Sequence, residues 1–364
     1  MTTPDMQQET VSRDLTAGSK AGSFPLFDWL RFVLASLVAL DHSGWKMGVS
    51  GLSVQTFFAL SGWLIGGILL NSRTSDLPRF FFKRGTRIWA PYFAAVAALY
   101  LVAAARDGIS ATYLHYLFHD VTFTHNWFVD FWRERDVMPL RGTAGGFWSI
   151  SVEEQFYLAA PLIMLFLPRG KDLATWAVVA LVAGALAGWN FQYLSITFGV
   201  LAAVIHRQYG NWHLHRTARI VLAIVAAASL FVIVGLGNLT GHFYKALAPF
   251  FSISVVLLVA TEGRRRSVGV FLGGLSYPLY LNHWIGIFAA NFAAKRIPAL
   301  PGSVTVMLAY TLAFGVAVVA YLAIDRPIQL QRDKYYRPAI GKAFMTTSYV
   351  LCATGLTVGL LGLI

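Results

Sequence analysis

The sequence predicts an all-helical protein that crosses a membrane many times. Of its 364 residues, 57% are hydrophobic and 13% are charged, whereas about a quarter of the residues in a soluble domain are charged. Apolar runs of helix length recur from one end of the chain to the other. Together, the composition and the recurrence of these runs indicate one integral membrane domain rather than a soluble enzyme with a single anchor.

Eleven apolar runs have the length expected of membrane helices. We place them at 27–45, 52–71, 88–105, 147–168, 173–189, 191–206, 219–236, 243–261, 268–289, 303–323 and 344–364. The residues before Phe24 are polar and of mixed charge, so we expect a disordered cytoplasmic tail and an uncleaved first helix that directs insertion. The expected domains are this tail at 1–23, a membrane core at 24–328, a cytoplasmic connector at 329–343 and an additional membrane helix at 344–364.

The basic residues predict the orientation of the chain in the membrane. With the N-terminus inside, 20 of the 29 Lys and Arg residues fall on inner segments and 8 on outer segments, and Arg31 lies within the membrane. The positive-inside rule therefore predicts a cytoplasmic N-terminus and an outer C-terminus. The formal net charge of +12 is explained by this topology and does not point to a nucleic-acid partner.

The first helix places two polar groups on one face. Arg31 and His42 are eleven residues apart, which brings them to nearly the same side of a helix, about 16 Å apart along its axis. A cation inside a membrane helix costs about 3 kcal/mol, so Arg31 is expected to face the protein interior and to have a function. Asp28, three residues earlier, is positioned to pair with it.

His42 is the leading candidate for the chemistry, because imidazole can take a proton from a hydroxyl near neutral pH and return it to a leaving group. In the structural alternative, His42 and Arg31 only lock helices together. Asp41 is the chain neighbour of His42, but it lies about 100° round the helix and need not be its partner.

Three basic residues precede the third predicted helix: Lys83, Arg84 and Arg87, in RFFFKRGTRIWAPY. Ordinary positive-inside anchoring is one interpretation. The other is a clamp for a phosphate-rich cofactor that enters from the cytoplasm, because Arg presents paired donors to phosphate. Coenzyme A fits this clamp, since it contains a diphosphate and a sugar phosphate.

Two acids begin the fourth predicted helix, in FWSISVEEQFYLAAP. Glu153 and Glu154 are costly in an apolar helix, so at least one is expected to be paired inside the bundle. Either could orient His42 or hold the acceptor, and a salt bridge to an Arg of a neighbouring helix is the structural alternative.

A second membrane histidine lies near the outer end of its helix. His283 follows Tyr277 and Tyr280 in LSYPLYLNHW. Core packing and interface anchoring also explain this aromatic cluster.

The outer segment at about 106–146 is rich in aromatic residues, which fits either a lid on the bilayer interface or a platform on which sugar rings stack. Within it, His115–Asp120 and His125–Asp130 match the H-x4-D spacing of glycerolipid acyltransferases. So short a pattern arises easily by chance, and both pairs lie away from cytosolic acyl donors. We therefore do not expect either pair to be catalytic.

Other signals are few. Neither a phosphate loop of the GxxxxGK[ST] type nor a metal-spaced Cys/His set is present, so no metal is expected. Cys352 is the single cysteine, which excludes an internal disulfide. Asn238-Leu-Thr240 is a glycosylation sequon on a predicted outer turn.

Six segments, in order, resemble the membrane-bound acyltransferases of family 3. FDWLRFVLASLVALDH resembles the opening signature of that family, and VQTFFALSGWLIGGIL its second-helix signature. FFKRGTRIWAPY resembles the basic stretch before the third helix, and FWSISVEEQFYLAAPL the WS-x-x-x-E-x-QFY block. LGGLSYPLYLNHW resembles the late SY-x-LYL-x-H block, and IDRPIQ the closing segment with Asp325 in place of Glu. The other matching positions are Asp28, Leu30, Arg31, His42, Phe57, Phe58, Ser61, Gly62, Arg84, Arg87, Pro91, Tyr92 and Glu153.

The resemblance implies a core of about ten helices that transfers an acyl group, usually acetyl, from cytosolic acyl-CoA. The usual acceptor is a hydroxyl of an extracytoplasmic or lipid-linked carbohydrate, a branch of the family modifies macrolides, and the implied location is a bacterial inner membrane. By carry-over, His42 is the catalytic residue with Glu153 beside it, and Arg31, Arg84 and Arg87 contact the donor. The expected supporting or substrate residues are Asp28, Ser61, Glu154, Tyr277, Tyr280 and His283.

Two alternatives to this enzyme remain. A polar line through the membrane also suits a proton-coupled transporter or flippase, although the sequence shows no inverted repeat. A catalytically inactive scaffold of a polysaccharide-export complex is the other. The eleventh helix follows the ten-helix core of the family; in fused relatives it leads to an outer esterase-like domain, which we do not expect here.

Overall fold

The computed structural model describes residues 23–186, 192–235, 241–297 and 300–363. Nearly all of the expected tail at 1–23, and the sequon Asn238-Leu-Thr240, lie outside the described residues. Within them, thirteen helices have ten residues or more. They are α1 Pro25–His42, α2 Ser50–Leu70, α3 Leu77–Asp107, α4 Ala111–Val121, α5 Trp148–Pro161, α6 Leu173–Ala185, α7 Gln192–Tyr209, α8 Arg216–Leu230, α9 Gly241–Val259, α10 Ser267–Arg296, α11 Gly302–Ala320, α12 Arg326–Tyr335 and α13 Pro338–Leu360.

The predicted fold class is confirmed, because each of the eleven predicted membrane segments overlaps one of these helices. By length and composition, five helical stretches qualify as membrane spans, namely Ser50–Leu70, Thr74–Asp107, Arg216–Gly235, Gly302–Tyr335 and Pro338–Leu360. The helices α1, α5 and α10 are not among them. These three contain the buried polar side chains Asp28, Glu154 and His283, which lie inside the bundle.

The basic segment before the predicted third helix is itself helical, which corrects the expected start at residue 88. Helix α3 begins at Leu77, so Lys83, Arg84 and Arg87 lie in its first three turns rather than in a connecting segment. Pro78 fits this start because the first turn of a helix has no need of its missing N–H. Helix α3 therefore presents its basic residues at a fixed spacing along one rigid element.

Close backbone contacts hold the central helices together. A Cβ atom at Gly62 of α2 would collide with the Ile196 carbonyl of α7, and one at Gly199 of α7 would collide with the Ala59 carbonyl of α2. In the same way, Gly273 of α10 allows Asp28 of α1 to approach its backbone. Small residues permit such contacts between membrane helices, where dispersion and interhelical hydrogen bonds replace the hydrophobic effect.

The C-terminal helix α13, for which the resemblance supplied no role, packs on α3 and α5. The Phe344 ring lies 5.2 Å from the Trp89 ring and 5.5 Å from the Phe82 ring. The Tyr349 hydroxyl donates to the Leu158 carbonyl at 3.0 Å. Helix α13 therefore supports, from outside, two of the helices that line the polar centre of the bundle.

The aromatic segment at about 106–146, which the sequence predicts to lie on the outer side, folds as helix α4 and short helical turns that pack on α3 and α13. The Asp120 carboxylate accepts hydrogen bonds from the Tyr100 hydroxyl at 2.6 Å and, through Oδ1, pairs with His125 Nδ1 at 2.7 Å. Gly355 of α13 lies against Thr122. These contacts fix the segment to the bundle.

Candidate active site

A pair of histidines forms one end of the polar centre. His42 is the last residue of α1, and its Nδ1 lies 2.9 Å from Nε2 of His283 on α10. His283 Nδ1 in turn lies 2.7 Å from the Tyr280 carbonyl oxygen. The His283 side chain is buried, whereas His42 is exposed. The two rings therefore form a short chain that begins on a backbone carbonyl and ends at an accessible imidazole.

The direction of the hydrogen bonds in this chain follows from its first acceptor. A carbonyl oxygen only accepts, so His283 must donate from Nδ1. A neutral imidazole has a single N–H, so His283 Nε2 then accepts and His42 must donate from its own Nδ1. The lone pair of His42 is thereby placed on Nε2, which has no hydrogen-bond partner among the described residues.

Helix α5 connects this end to the middle of the bundle. The Ser149 hydroxyl lies 2.6 Å from the Tyr280 hydroxyl, which also donates to the Gly146 carbonyl at 3.2 Å. The Phe57 ring of α2 packs edge-on against the Tyr280 ring, with centroids 6.3 Å apart. Tyr280 is thus fixed by its hydroxyl, and its backbone carbonyl fixes His283.

Glu153 lies at the middle level of the polar centre. Its carboxylate accepts from the Ser61 hydroxyl at 2.6 Å and from the Tyr157 hydroxyl at 3.1 Å. It is also within electrostatic range of Arg84 and Arg87. Glu153 therefore joins α2 and α5 while facing the basic residues of α3.

The Glu154 side chain is buried and has a different partner from that of Glu153. Its Oε2 accepts from the Trp89 indole N–H at 3.0 Å. The Trp89 ring lies against Phe344 of α13, so this carboxylate belongs to the contact between α3, α5 and the C-terminal helix. The other predicted aromatic side chain, Tyr277, donates to the Ile88 carbonyl at 3.3 Å and joins α10 to α3.

The expected orientation of His42 by Glu153 or Glu154 does not match these contacts. Both carboxylates bind other side chains, and the His42 ring instead contacts the His283 ring. Asp41 is also engaged elsewhere, since its Oδ1 accepts from the backbone N–H groups of Met47 at 2.9 Å and Gly48 at 3.0 Å. The sequence predicted a supporting role for His283 but not its contact with His42, because the two residues are 241 positions apart in the chain.

Arginines form the other end of the polar centre. Asp28 Oδ1 pairs with Arg31 at 3.5 Å, as the spacing predicts, but its closer partner is Arg265. Arg265 donates to both carboxylate oxygens, at 2.6 Å and 2.7 Å. The Arg31 guanidinium is also within electrostatic range of Arg84 and Arg87. No sequence pattern distinguishes Arg265 from its basic neighbours Arg264 and Arg266, so its contact with Asp28 was not predicted.

Arg84 and Arg87 differ from Arg31 in lacking an ionic partner. The Arg84 guanidinium lies over the Tyr157 ring, 5.7 Å from its centroid. Within the described residues, neither Arg84 nor Arg87 makes a hydrogen bond or a salt bridge, and both side chains are partly exposed. Their N–H donors therefore remain available to an anion that enters the bundle.

The histidines of the segment at about 106–146 form a separate cluster, in which His119 and His125 are buried. Asp120 pairs with His125 rather than with His115, and the His119 imidazole bonds the Thr124 hydroxyl at 2.8 Å. Burial lowers the pKa of His119 to about 4. This pairing joins Asp120 to the histidine five residues after it and does not follow the H-x4-D spacing, to which we assigned no catalytic role.

Comparison with known proteins identifies the chemistry of this fold. A family model described as an acyltransferase domain matches residues 24–325. A Komagataeibacter xylinus protein named as the membrane-bound transacylase BcsY is 28% identical over 291 residues, which cover 73% of this chain and 73% of BcsY. No solved structure matches the chain.

Two further relatives match over a smaller share of their own length. Nodulation protein 10 of Rhizobium leguminosarum is 30% identical over 195 residues, 47% of this chain and 52% of that protein. The O-acetyltransferase OatA of Staphylococcus aureus is 22% identical over 368 aligned positions, 86% of this chain and 58% of OatA. The matched domain, the helical membrane bundle and these relatives together show that the chain is an integral membrane acyltransferase of acyltransferase family 3.

Proposed function

We propose that this acyltransferase moves an acyl group, most simply acetyl, from cytosolic acyl-CoA to a hydroxyl of an extracytoplasmic or lipid-linked carbohydrate. The observation that most strongly supports the donor is the pair of interior guanidiniums, Arg84 and Arg87, without an ionic partner among the described residues. Because Arg binds phosphate through paired, charge-assisted hydrogen bonds, the diphosphate of an acyl-CoA suits this pair.

The reactive end of the donor would extend from the arginines to the histidines. Arg31 and His42 are separated by about 16 Å along α1, and an extended pantetheine arm has a comparable length. Along α5, Glu153 lies one turn after Ser149, which contacts Tyr280, and Tyr157 lies one turn further on, beneath the Arg84 guanidinium. The thioester would then reach His42 while the phosphates stay on α3.

In the proposed reaction, His42 Nε2 takes the proton of the acceptor hydroxyl as its oxygen attacks the thioester carbonyl. The carbon–sulfur bond breaks, the new carbon–oxygen bond forms, and the departing thiolate receives the proton from His42. The products are an ester and free coenzyme A, and no oxidant or reductant is needed. Transient acylation of His42 itself is the two-step variant of the same transfer.

His283 would keep His42 ready for this step. It accepts the His42 Nδ1 proton and so holds the lone pair on Nε2, the nitrogen that is accessible. The imidazolium that forms during the reaction keeps the same hydrogen bond. His283 therefore acts as a positioning residue.

The carbohydrate acceptor and the orientation rest on other observations. The excess of basic residues on one side of the predicted helices supports a cytoplasmic N-terminus, because cytoplasmic segments of membrane proteins are enriched in Lys and Arg. His42 would then open towards the outer side, near the aromatic outer segment, and one relative is named an O-acetyltransferase. A macrolide-type acceptor would use the same donor site and the same base.

The test uses membranes that contain the full chain, labelled acetyl-CoA and envelope glycans as acceptor. We expect thiol release and labelled glycan with the unaltered chain, and a loss of about a thousandfold with His42→Ala. His215→Ala, an exposed histidine outside the polar centre, should keep full activity. Equal labelling by His42→Ala would contradict the base assignment, and uptake of acceptor without thiol release would favour a transporter.

A further inference from the structure

Helix α12 lies beyond the matched acyltransferase domain, which ends at residue 325. It turns back on the first turns of α3. Arg332 Nη1 lies 3.4 Å from the Lys83 carbonyl, and Asp333 lies 3.5 Å from Arg79 and 3.7 Å from Lys83. The Tyr336 ring, one residue after the helix, packs on the Phe82 ring at 5.3 Å. The connector is therefore fixed to the basic part of α3.

This packing adds a third guanidinium to the two of α3. Arg332 is within electrostatic range of both Arg84 and Arg87. Its Nε atom is buried and has no hydrogen-bond partner in the described part of the chain. Asp333, a carboxylate within electrostatic range of Arg332, is shared by Arg79 and Lys83 and has a side chain that is 55% exposed.

Like charges repel one another, and the Glu153 carboxylate, within electrostatic range of Arg84 and Arg87, offsets part of this repulsion. A second anion beside Arg332 would offset the rest. A phosphate group is the anion that three guanidiniums bind best, since each offers parallel N–H donors. Two sources of phosphate are available at this end of the bundle: a lipid headgroup and the nucleotide portion of the donor. The placement of Arg332 favours the donor, because its side chain is partly buried and within electrostatic range of Arg84 and Arg87, whereas Arg326 and Lys334 of the same helix are exposed.

We propose that Arg332 binds a phosphate of the nucleotide portion of acyl-CoA, so that the connector completes the donor site begun by Arg84 and Arg87. This inference rests on the proposed function. It extends the donor site beyond the family domain to α12, for which the sequence predicted only a connecting role.

The experiment compares two donors with the full chain in lipid nanodiscs. Acetyl-CoA contains the phosphates, and acetyl-pantetheine has the same thioester without them. We expect Arg332→Ala to raise the KM for acetyl-CoA about tenfold and to leave the kcat for acetyl-CoA and the KM for acetyl-pantetheine unchanged. Arg332→Lys should restore part of the loss, and Lys334→Ala on the same helix should change neither donor.

Three results would overturn the assignment of Arg332. An unchanged KM for acetyl-CoA would show that the side chain does not contact the donor. An equal loss with both donors would show a structural role. A loss that appears in phosphatidylglycerol nanodiscs but not in phosphatidylcholine nanodiscs would identify a lipid headgroup as the ligand. Failure of the unaltered chain to transfer acetyl from either donor would instead contradict the proposed function, so the two failures are distinguishable.

Discussion

The two ends of the polar centre differ in how their charged and titratable groups are satisfied. At the histidine end, three of the four ring nitrogens of His42 and His283 have a hydrogen-bond partner, and the fourth is accessible. At the arginine end, Asp28 satisfies Arg31 and Arg265, but Arg84 and Arg87 have no ionic partner among the described residues. One end is complete without a ligand and the other is not.

This difference separates the two tasks of an acyltransferase. A base must have its lone pair on a defined atom before the substrate arrives, and a chain of hydrogen bonds provides that. A site for a polyanion must instead keep its donors free until the ligand supplies the counter-charge, which costs stability in the empty protein. The difference therefore supports the proposed division, with chemistry on α1 and α10 and donor recognition on α3 and α12.

The largest effect that sharpens this comparison is expected from the arginines of α3. Replacing both Arg84 and Arg87 with Ala removes charge-assisted hydrogen bonds worth about 1.5–3 kcal/mol each, so kcat/KM for acetyl-CoA should fall about a thousandfold. Steady-state kinetics with acetyl-CoA and acetyl-pantetheine measures it, and the second donor should be affected far less. Arg106→Ala, at the far end of the same helix and paired with Asp107, is the matched control. Equal losses of kcat/KM with both donors would contradict the assignment of phosphate recognition to α3.

A smaller effect is expected at the histidine end. His283→Leu removes the acceptor for His42 Nδ1–H, so the lone pair is no longer fixed on Nε2 and kcat should fall about 10- to 100-fold. His283→Gln can present an amide oxygen to the same proton and should restore part of the rate. The matching spectroscopic test is ¹⁵N solid-state NMR of the His42 ring, which should show an Nδ1–H form that His283→Leu loses. An Nε2–H ring in the unaltered protein would contradict the hydrogen-bond direction deduced here.

The smallest effect concerns the level between the two ends. Glu153→Gln keeps an acceptor oxygen for one of the two hydroxyls, Ser61 or Tyr157, which bond different oxygens of Glu153, and removes the negative charge that faces Arg84 and Arg87. We expect about a tenfold loss of kcat/KM, with the melting temperature nearly unchanged. Glu262→Gln, an exposed acid, is the control and should have no effect. If Glu153→Gln were as damaging as His42→Ala, Glu153 would belong to the chemistry rather than to the donor path.

Sequence patterns predicted the fold class and the family, and both are confirmed. They were less accurate for the bounds of a helix whose first turns are rich in basic residues. The aromatic and basic residues before the predicted third helix lowered its apolar character, so the start of α3 was placed eleven residues too late, at 88 instead of Leu77. The catalytic and donor-binding roles of the individual site residues stay predictions until the kinetic tests above are made.

By itself, the sequence determined the quantities that lie along single helices: apolar length, the spacing of Arg31 and His42, and the order of the six family segments. Only the tertiary structure decided the pairs between helices. His42 with His283, Ser61 with Glu153, and Asp28 with Arg265 are separated by 241, 92 and 237 residues, respectively. The physical reason is that helical periodicity fixes which side chains share a face, whereas the rotation and packing of each helix decide what that face meets.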